Sequence, residues 1–158
     1  MQFTEEDEIE FRFPDFDFDE EMEETREENI RVVMVEPGKY AREEVIGTDI
    51  YELQNAVGGG LIDACYPFEE LVCIVCNDEG KINGMRPNRA LRADDGRIYD
   101  VICGPFFICD CSTENFGSLT DEQVERYKEM FKDPEHFYMV DGEIIASRYT
   151  PRSEKEAR

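Results

Sequence analysis

Six cysteines are the side chains with the widest chemical range in this 158-residue sequence. Two residues separate Cys73 from Cys76 and one separates Cys109 from Cys111, a spacing that invites comparison with a zinc site. Residues three apart on a strand point to opposite faces, so Cys73 and Cys76 could not share one ion there. The residues between them are apolar and supply no Gly or Pro to shape a metal knuckle. We therefore predict buried, reduced thiols, with no bound metal and no cofactor.

His136 is the only histidine, so a histidine-dependent triad or metal centre would have to use it. It follows a predicted helix, in the run Asp-Pro-Glu-His-Phe, and no nucleophile lies nearby in sequence. The triple glycine at residues 58–60 follows a helix, whereas a phosphate-binding glycine loop precedes one. We predict no catalytic residue and a partly exposed connecting role for His136.

Five basic residues lie between residues 81 and 97, where only two acids oppose them. One interpretation is an anion or partner site on an exposed loop. The alternative is that these side chains balance the protein's own acids or lie scattered on solvated faces. The five are Lys81, Arg86, Arg89, Arg92 and Arg97.

The first 29 residues hold 14 acids and two bases. Their first half alternates aromatic and acidic residues. Their second half can form a short helix whose glutamates recur about 5–6 Å apart, a spacing comparable to that of phosphates along a DNA strand. A solvating tail is the alternative, but the phenylalanines favour docking, on the chain's own domain or on a partner. The candidate partner-binding residues are Phe11, Phe13, Asp15, Phe16, Asp17, Phe18, Asp19, Glu20, Glu23, Glu24 and Glu27.

Two helices must position these groups. Thr48 can cap a helix that runs to residue 57, with an apolar face, before the triple glycine. Thr120 and Gln123 form a capping box for a second helix, which ends before Pro134. The buried faces of the two helices are predicted to be Ile50, Leu53, Ala56 and Val57, and Val124, Tyr127 and Phe131.

Strand signals surround these helices. The run IRVVMVE begins the first strand, and Asp141-Gly142 is the strongest hairpin turn. Residues 81–97 are polar and contain Gly and Pro, which predicts a loop, whereas residues 98–110 read as a strand pair or as a bent strand broken at Gly104-Pro105. The expected fold is α+β: a small, mostly antiparallel sheet with two main helices, plus an acidic N-terminal arm.

Composition divides the chain into an acidic arm at 1–29, a compact domain at 30–149 and a polar tail at 150–158. The formal charge of −22 repels nucleic acid and anionic membranes, and it favours basic partners. No segment approaches the roughly 20 apolar residues of a membrane span, and the first ten residues do not resemble a secretory signal. We expect no direct DNA binding, no membrane association and a cytoplasmic location.

Residues 30 to about 149 resemble the domain-of-unknown-function family 3846. The resemblance rests on Gly58-Gly59 before an apolar strand and on four blocks, IVCNDEGKINGMRPNRAL, DGRIYDVICGPFFIC, ENFGSLTDEQVERYKEMFKDPEHFY and DGEII. Met85-Arg86 and Cys103-Gly104-Pro105 depart from the expected pattern of a small apolar residue and a Gly-Thr pair. The resemblance implies an origin in phages, plasmids or conjugative elements, and it assigns no catalytic residue.

Three functions are compatible with these observations. The first is a non-catalytic anti-defence protein, of antirestriction or anti-CRISPR type, that occupies a basic nucleic-acid-binding surface of a host protein in the bacterial cytoplasm. The second is a small enzyme acting on nucleotide or RNA through the arginine segment and His136. The third is a scaffold domain with a solubilising acidic tail.

Overall fold

Nine strands and two helices make up residues 27–151, the part of the chain that the computed structural model describes. The strands are β1 (Asn29–Val35), β2 (Arg42–Gly47), β3 (Ile62–Cys65), β4 (Val72–Asn77), β5 (Pro87–Arg92), β6 (Ile98–Cys103), β7 (Phe106–Asp110), β8 (Glu135–Val140) and β9 (Glu143–Arg148). The helices are α1 (Ile50–Ala56) and α2 (Asp121–Met130). Five strands form one antiparallel sheet in the order β2-β1-β7-β4-β3, while β5 pairs with β6 and β8 with β9. The predicted α+β class is confirmed.

The central strands β1, β4 and β7 are buried on both faces of the large sheet. Alternate side chains of a strand point to opposite faces, so a strand covered on both sides is apolar throughout. On one face Val33 and Ile108 pack into a core completed by α2 and by the β5–β6 pair. On the other face Val32 and Phe107 pack against Leu53 of α1. The continuous apolar runs in the sequence therefore reflect two separate cores.

Helix α2 begins with the predicted capping box. Gln123 N donates to Thr120 Oγ1 at 3.1 Å, and Thr120 N donates to Gln123 Oε1 at 3.0 Å. The stripe of Val124, Tyr127 and Phe131 is buried against the large sheet, as predicted.

Glu70, in the loop before β4, forms hydrogen bonds with side chains of helix α2. Its carboxylate accepts hydrogen bonds from the Tyr127 hydroxyl, from Gln123 Nε2 at 3.1 Å and from the Arg126 guanidinium. The hydrogen bond from Tyr127, followed by that from Gln123, lowers the pKa of Glu70 below its ordinary value of 4.5.

Helix α1 begins two residues after the predicted cap. Asp49 is the N-cap residue, and its Oδ1 accepts from Tyr51 N at 2.8 Å. Thr48, which the sequence indicated as the cap, instead donates its hydroxyl to the carbonyl of Glu27 at 2.7 Å. The prediction of a Thr48 cap is therefore wrong, because this hydroxyl holds the chain segment that leads into β1.

The apolar face of α1 is narrower than predicted. Leu53 and Val57 are buried, whereas Ile50 is 50% exposed. The helix ends where Asn77 Nδ2 donates to the carbonyl of Val57 at 3.1 Å. Asn77 itself is buried, so a polar side chain of β4 satisfies the end of α1.

The segment predicted as a loop between residues 81 and 97 contains strand β5. Its residues pair with β6, with Ala90 opposite Val101. The strand looks polar because Asn88 and Arg89 belong to it, yet both are fully buried. The loop prediction is therefore wrong over β5. The predicted break at Gly104-Pro105 is confirmed, since β6 and β7 lie in different sheets.

Strands β8 and β9 form a separate hairpin around the predicted turn. Asp141 and Gly142 have φ values of 52° and 80°, the left-handed geometry of a two-residue hairpin turn. The base of the hairpin is held by Glu135, whose Oε1 accepts from Ala90 N at 3.1 Å. Tyr149 N also donates to the carbonyl of Pro134 at 2.9 Å.

Candidate binding surfaces

Arg89 lies inside the protein and is not available on a loop. Its relative exposure is 0%. Nε donates to the carbonyl of Phe131 at 3.0 Å, and Nη2 donates to the carbonyl of Lys39 at 2.8 Å. Burial lowers the pKa of the Arg89 guanidinium to about 10, so it stays protonated at neutral pH. The expectation that Arg89 belongs to an exposed anion or partner site is therefore wrong, and its role is structural.

Asn88 extends the same buried network. Its Nδ2 donates to the carbonyls of Val35 and Gly104, at 3.0 and 2.9 Å, and its Oδ1 accepts from Arg89 Nη1 at 2.9 Å. Together Asn88 and Arg89 join β1, β5, the end of α2 and the break before β7. Buried polar groups of this kind persist because they are hydrogen-bonded.

The remaining basic residues of the segment are spread over several places. Lys81 pairs with Asp100 at 2.6 Å, and Arg92 Nη1 lies 3.2 Å from Glu135 Oε2. Arg97 is exposed, and no ion pair within residues 27–151 uses it. The five predicted residues therefore do not form one continuous basic surface.

Arg86 and His136 both contact Tyr149. The imidazole of His136 stacks on the Tyr149 ring with centroids 4.0 Å apart and an interplanar angle of 11°. Arg86 Nη2 donates to the Tyr149 hydroxyl at 3.4 Å. His136 is exposed at the start of β8, and it makes no hydrogen bond through its ring within residues 27–151.

Five of the six cysteines lie in two groups on opposite faces of the large sheet, and Cys103 ends β6. Cys73 and Cys109 face each other across β4 and β7 with sulfur atoms 3.8 Å apart, whereas Cys76 packs against the other core. Burial raises the pKa of Cys65 to about 11 and that of Cys76 to about 12, so these thiols are protonated at neutral pH. No group of three or more His, Cys, Asp or Glu side chains between residues 27 and 151 is arranged to hold a metal ion.

An acidic surface, which we call the arm-root cluster, lies where the chain enters β1. It consists of Glu28, Asp49 and Glu52, which line one open hollow, and no basic residue of the described part of the chain lines it. The carboxylate of Glu52 lies over Gly47, where a Cβ would come within 1.8 Å of Glu52 Oε1. Glu27, next to the cluster, accepts from Ser118 Oγ at 3.0 Å. The predicted arm residues from Phe11 to Glu24 lie outside the described residues.

The sequence prediction missed the exposed apolar surface of the β8–β9 hairpin. Five large side chains there are between 44% and 68% exposed: Tyr138, Met139, Val140, Ile144 and Ile145. The available signal was the absence of alternation, because FYMV and II place apolar residues on both faces of a two-stranded ribbon.

The described residues thus define a small α+β domain with a central antiparallel sheet and an acidic surface at the entry to its first strand. Residues 30–132 match the family model DUF3846, a domain of unknown function, so the chain belongs to this family. The hairpin predicted to complete the resemblance, up to residue 149, lies beyond the matched range. Comparisons with curated proteins and with solved structures find no match. No helix within residues 27–151 is long and apolar enough to cross a membrane.

The two segments that depart from the expected family pattern contact each other. A Cβ on Gly104 would lie 2.5 Å from Met85 Sδ, and a Cβ on Gly58 would lie 2.8 Å from Met85 Cε. The Met85 side chain therefore fills a space that two glycines leave open.

Proposed function

We propose that this chain is a non-catalytic, acidic binding protein of a mobile genetic element. In this proposal it is an anti-defence inhibitor of antirestriction or anti-CRISPR type, and it works in the cytoplasm of the bacterial host. Its partner is a host protein with a basic surface that normally holds nucleic acid. The arm carries much of the contact, through its acids and through Phe11, Phe13, Phe16 and Phe18.

The observation that carries the proposal is that the acidic arm enters the domain at an acidic site. The arm brings 14 acids within residues 1–29, and it joins the domain directly at the arm-root cluster of Glu28, Asp49 and Glu52. An extended surface of one sign steers an oppositely charged partner and competes with a nucleic-acid backbone for it. The total charge of −22 makes direct binding of the chain to DNA unfavourable.

A capture experiment tests this proposal. The tagged chain is incubated with host lysate at low and at high ionic strength, and the captured protein is then challenged with duplex DNA or RNA. We expect a stoichiometric partner that binds at low salt and is released by nucleic acid, because both ligands use the same basic surface. A partner that nucleic acid does not displace would contradict the proposed mode of inhibition.

A matched pair of variants separates the arm from charge in general. One variant changes Glu20, Glu23, Glu24 and Glu27 to Gln. The control changes the exposed residues Glu114, Glu122, Glu125 and Glu129 to Gln, which removes the same charge from another part of the chain. The arm variant should weaken partner binding at least about tenfold, and the control should change it little. Equal losses in the two variants would mean that only net charge matters.

The proximity of Arg86, Tyr149 and His136 favours one alternative, an enzyme acting on nucleotide or RNA. Turnover of nucleotide or RNA by the purified chain, lost in both Arg86→Ala and His136→Ala, would support it. If the chain captures no partner and shows no turnover, a scaffold domain with a solubilising arm is the remaining interpretation.

A further inference from the structure

The β8–β9 hairpin exposes apolar side chains on both of its faces. Tyr138 and Ile145 face each other across the ribbon on one side, and Met139 and Ile144 do so on the other. All four are at least 44% exposed. A two-stranded hairpin is marginally stable by itself in water, and exposed apolar side chains grouped in this way indicate a contact surface.

A groove runs along the Ile144 side of this hairpin. One wall comes from the β5–β6 pair, with Arg92, Arg97 and Ile98, and the other wall is residues 142–146. The groove has a volume of about 580 Å³. Its lining holds two arginines against one acid, Glu143, whereas residues 27–151 as a whole hold 25 acids and 12 bases. Arg92 is already paired with Glu135, so Arg97 is the arginine of this lining that makes no ion pair within residues 27–151. The groove therefore combines an apolar wall with one unpaired arginine, in a strongly acidic protein.

The arm has the complementary composition. Residues 15–19 read Asp-Phe-Asp-Phe-Asp, so an extended backbone would place Phe16 and Phe18 on one side and three aspartates on the other. An extended segment of this kind would bring aromatic rings to the apolar wall and carboxylates to Arg97. Segments that bind along a sheet or a hairpin use this division into two faces.

The length of the arm allows this contact within one chain. Residues 11–18 lie 9 to 16 positions before Glu27. That length of extended chain spans up to about 30–55 Å. Strand β1 has seven residues and covers roughly 23 Å. The hairpin begins near the far end of β1, since Ala41 N, in the loop between β1 and β2, donates to the carbonyl of Lys132 at 3.1 Å. An extended arm is therefore longer than the strand that it must pass to approach the hairpin.

Two further observations favour the chain's own arm over other occupants. A second copy would bring together two chains that each carry a charge of −22, and their repulsion opposes self-association. The family match covers residues 30–132, so the arm and the hairpin both lie outside the matched range. A tethered segment also acts at a high effective concentration, which compensates for a modest intrinsic affinity.

We propose that the Phe-Asp segment of the arm, residues 11–19, docks in the groove between the β5–β6 pair and the β8–β9 hairpin of its own chain. The segment covers the apolar face of Ile144, and its aspartates face Arg97. Docking of this kind keeps the phenylalanines out of water until another ligand for the arm displaces them. The contact is intramolecular, so it can be measured without any partner and stands apart from the proposed function.

The chain contains no tryptophan, which provides a specific probe. In the full chain, Phe16→Trp introduces a single tryptophan whose emission and acrylamide quenching report its exposure. We expect blue-shifted emission, together with quenching several-fold weaker than in the same chain carrying Ile144→Asp or Arg97→Glu. Val45→Asp is the matched control, because Val45 is 62% exposed on β2, outside the groove. Far-UV circular dichroism verifies that each variant remains folded.

Any of three other outcomes would overturn the proposal. Emission typical of a solvent-exposed tryptophan in the full chain would mean that the segment is not docked. Protected emission that neither groove variant changes would place the segment somewhere else. Protection that increases with protein concentration would mean that the arm binds a second copy of the chain.

Discussion

Replacing Arg89 with Met should lower the free energy of unfolding substantially, although the sequence around Arg89 resembles that of a surface loop. The side chain makes four hydrogen bonds, to the carbonyls of Phe131, Lys39 and Asn88 and to Asn88 Oδ1, at distances between 2.8 and 3.3 Å. Methionine fills a similar volume but donates nothing, so two carbonyls from distant parts of the chain lose the guanidinium as their donor.

The expected magnitude follows from two buried acceptors that lose this donor, the Phe131 carbonyl and Asn88 Oδ1, because the Lys39 carbonyl is only partly buried. Each buried acceptor left without a donor costs about 1–3 kcal/mol. The variant also avoids burying a charge, which offsets part of that loss. We therefore expect the free energy of unfolding of Arg89→Met to fall by about 2–4 kcal/mol. For a domain of this size the melting temperature should drop by roughly 6–15 °C.

Urea unfolding followed by far-UV circular dichroism measures this loss. Arg97→Met is the matched control, since Arg97 is exposed and its substitution should change stability by less than about 0.5 kcal/mol. Arg89→Lys keeps the charge but not the planar fork, so it should also destabilise the protein. If Arg89→Met costs no more than Arg97→Met, the buried network does not stabilise the fold and the argument is refuted.

Three further predictions concern other parts of the fold. Thr120→Ala removes one half of the capping box and should cost about 1 kcal/mol in chemical denaturation; an unchanged midpoint would contradict it. Glu70→Gln should lower the melting temperature near neutral pH by roughly 2–5 °C. Because the folded-state pKa of Glu70 is lowered, its contribution is present above its ordinary pKa of 4.5 and is lost as pH falls through the lower folded value, so the two melting temperatures should converge in acid. A metal chelator should leave the melting temperature unchanged, and elemental analysis that finds one zinc per chain would show this expectation to be wrong.

Removal of the arm should leave the domain folded, provided that the cut is placed before Glu27. The carbonyls of Glu27 and Glu28 accept hydrogen bonds from Thr48, so they belong to the folded part of the chain. A chain starting at residue 27 should keep its cooperative thermal transition, and binding of a partner should weaken and lose much of its salt dependence. Failure of this shortened chain to fold would mean that the arm belongs to the core.

Local signals in the sequence predicted the local features of the fold. The capping box at Thr120 and the turn at Asp141-Gly142 depend on a few neighbouring residues, and both are confirmed. The loop expected over β5 was wrong because the partners of Asn88 and Arg89 are backbone carbonyls up to 53 residues away in sequence. A polar side chain indicates solvent exposure only when the fold offers it no buried hydrogen-bond partner. Partners that are distant in sequence cannot be identified from the spacing of residues.

The same limit applies to the candidate binding surfaces. The charge of the arm is plain in the sequence, but the arm-root cluster depends on Asp49 and Glu52 lying beside Glu28 after folding. The exposed faces of the β8–β9 hairpin were missed because the sequence does not say whether a strand pair joins the main sheet. Whether a strand pair joins the sheet depends on which edge strands of the sheet are already hydrogen-bonded to other strands.

The position of β7 in the large sheet determines when that sheet can form. Strands β1 and β2 make one local hairpin and β3 and β4 another, but β7 pairs with both β1 and β4 and joins them. During synthesis, more than 100 residues must leave the ribosome before β7 is available, and until then β1 and β4 each keep one unpaired edge. We expect fragments that end before Phe106 to aggregate, and we expect folding to be limited by closure of the long loop between β1 and β7.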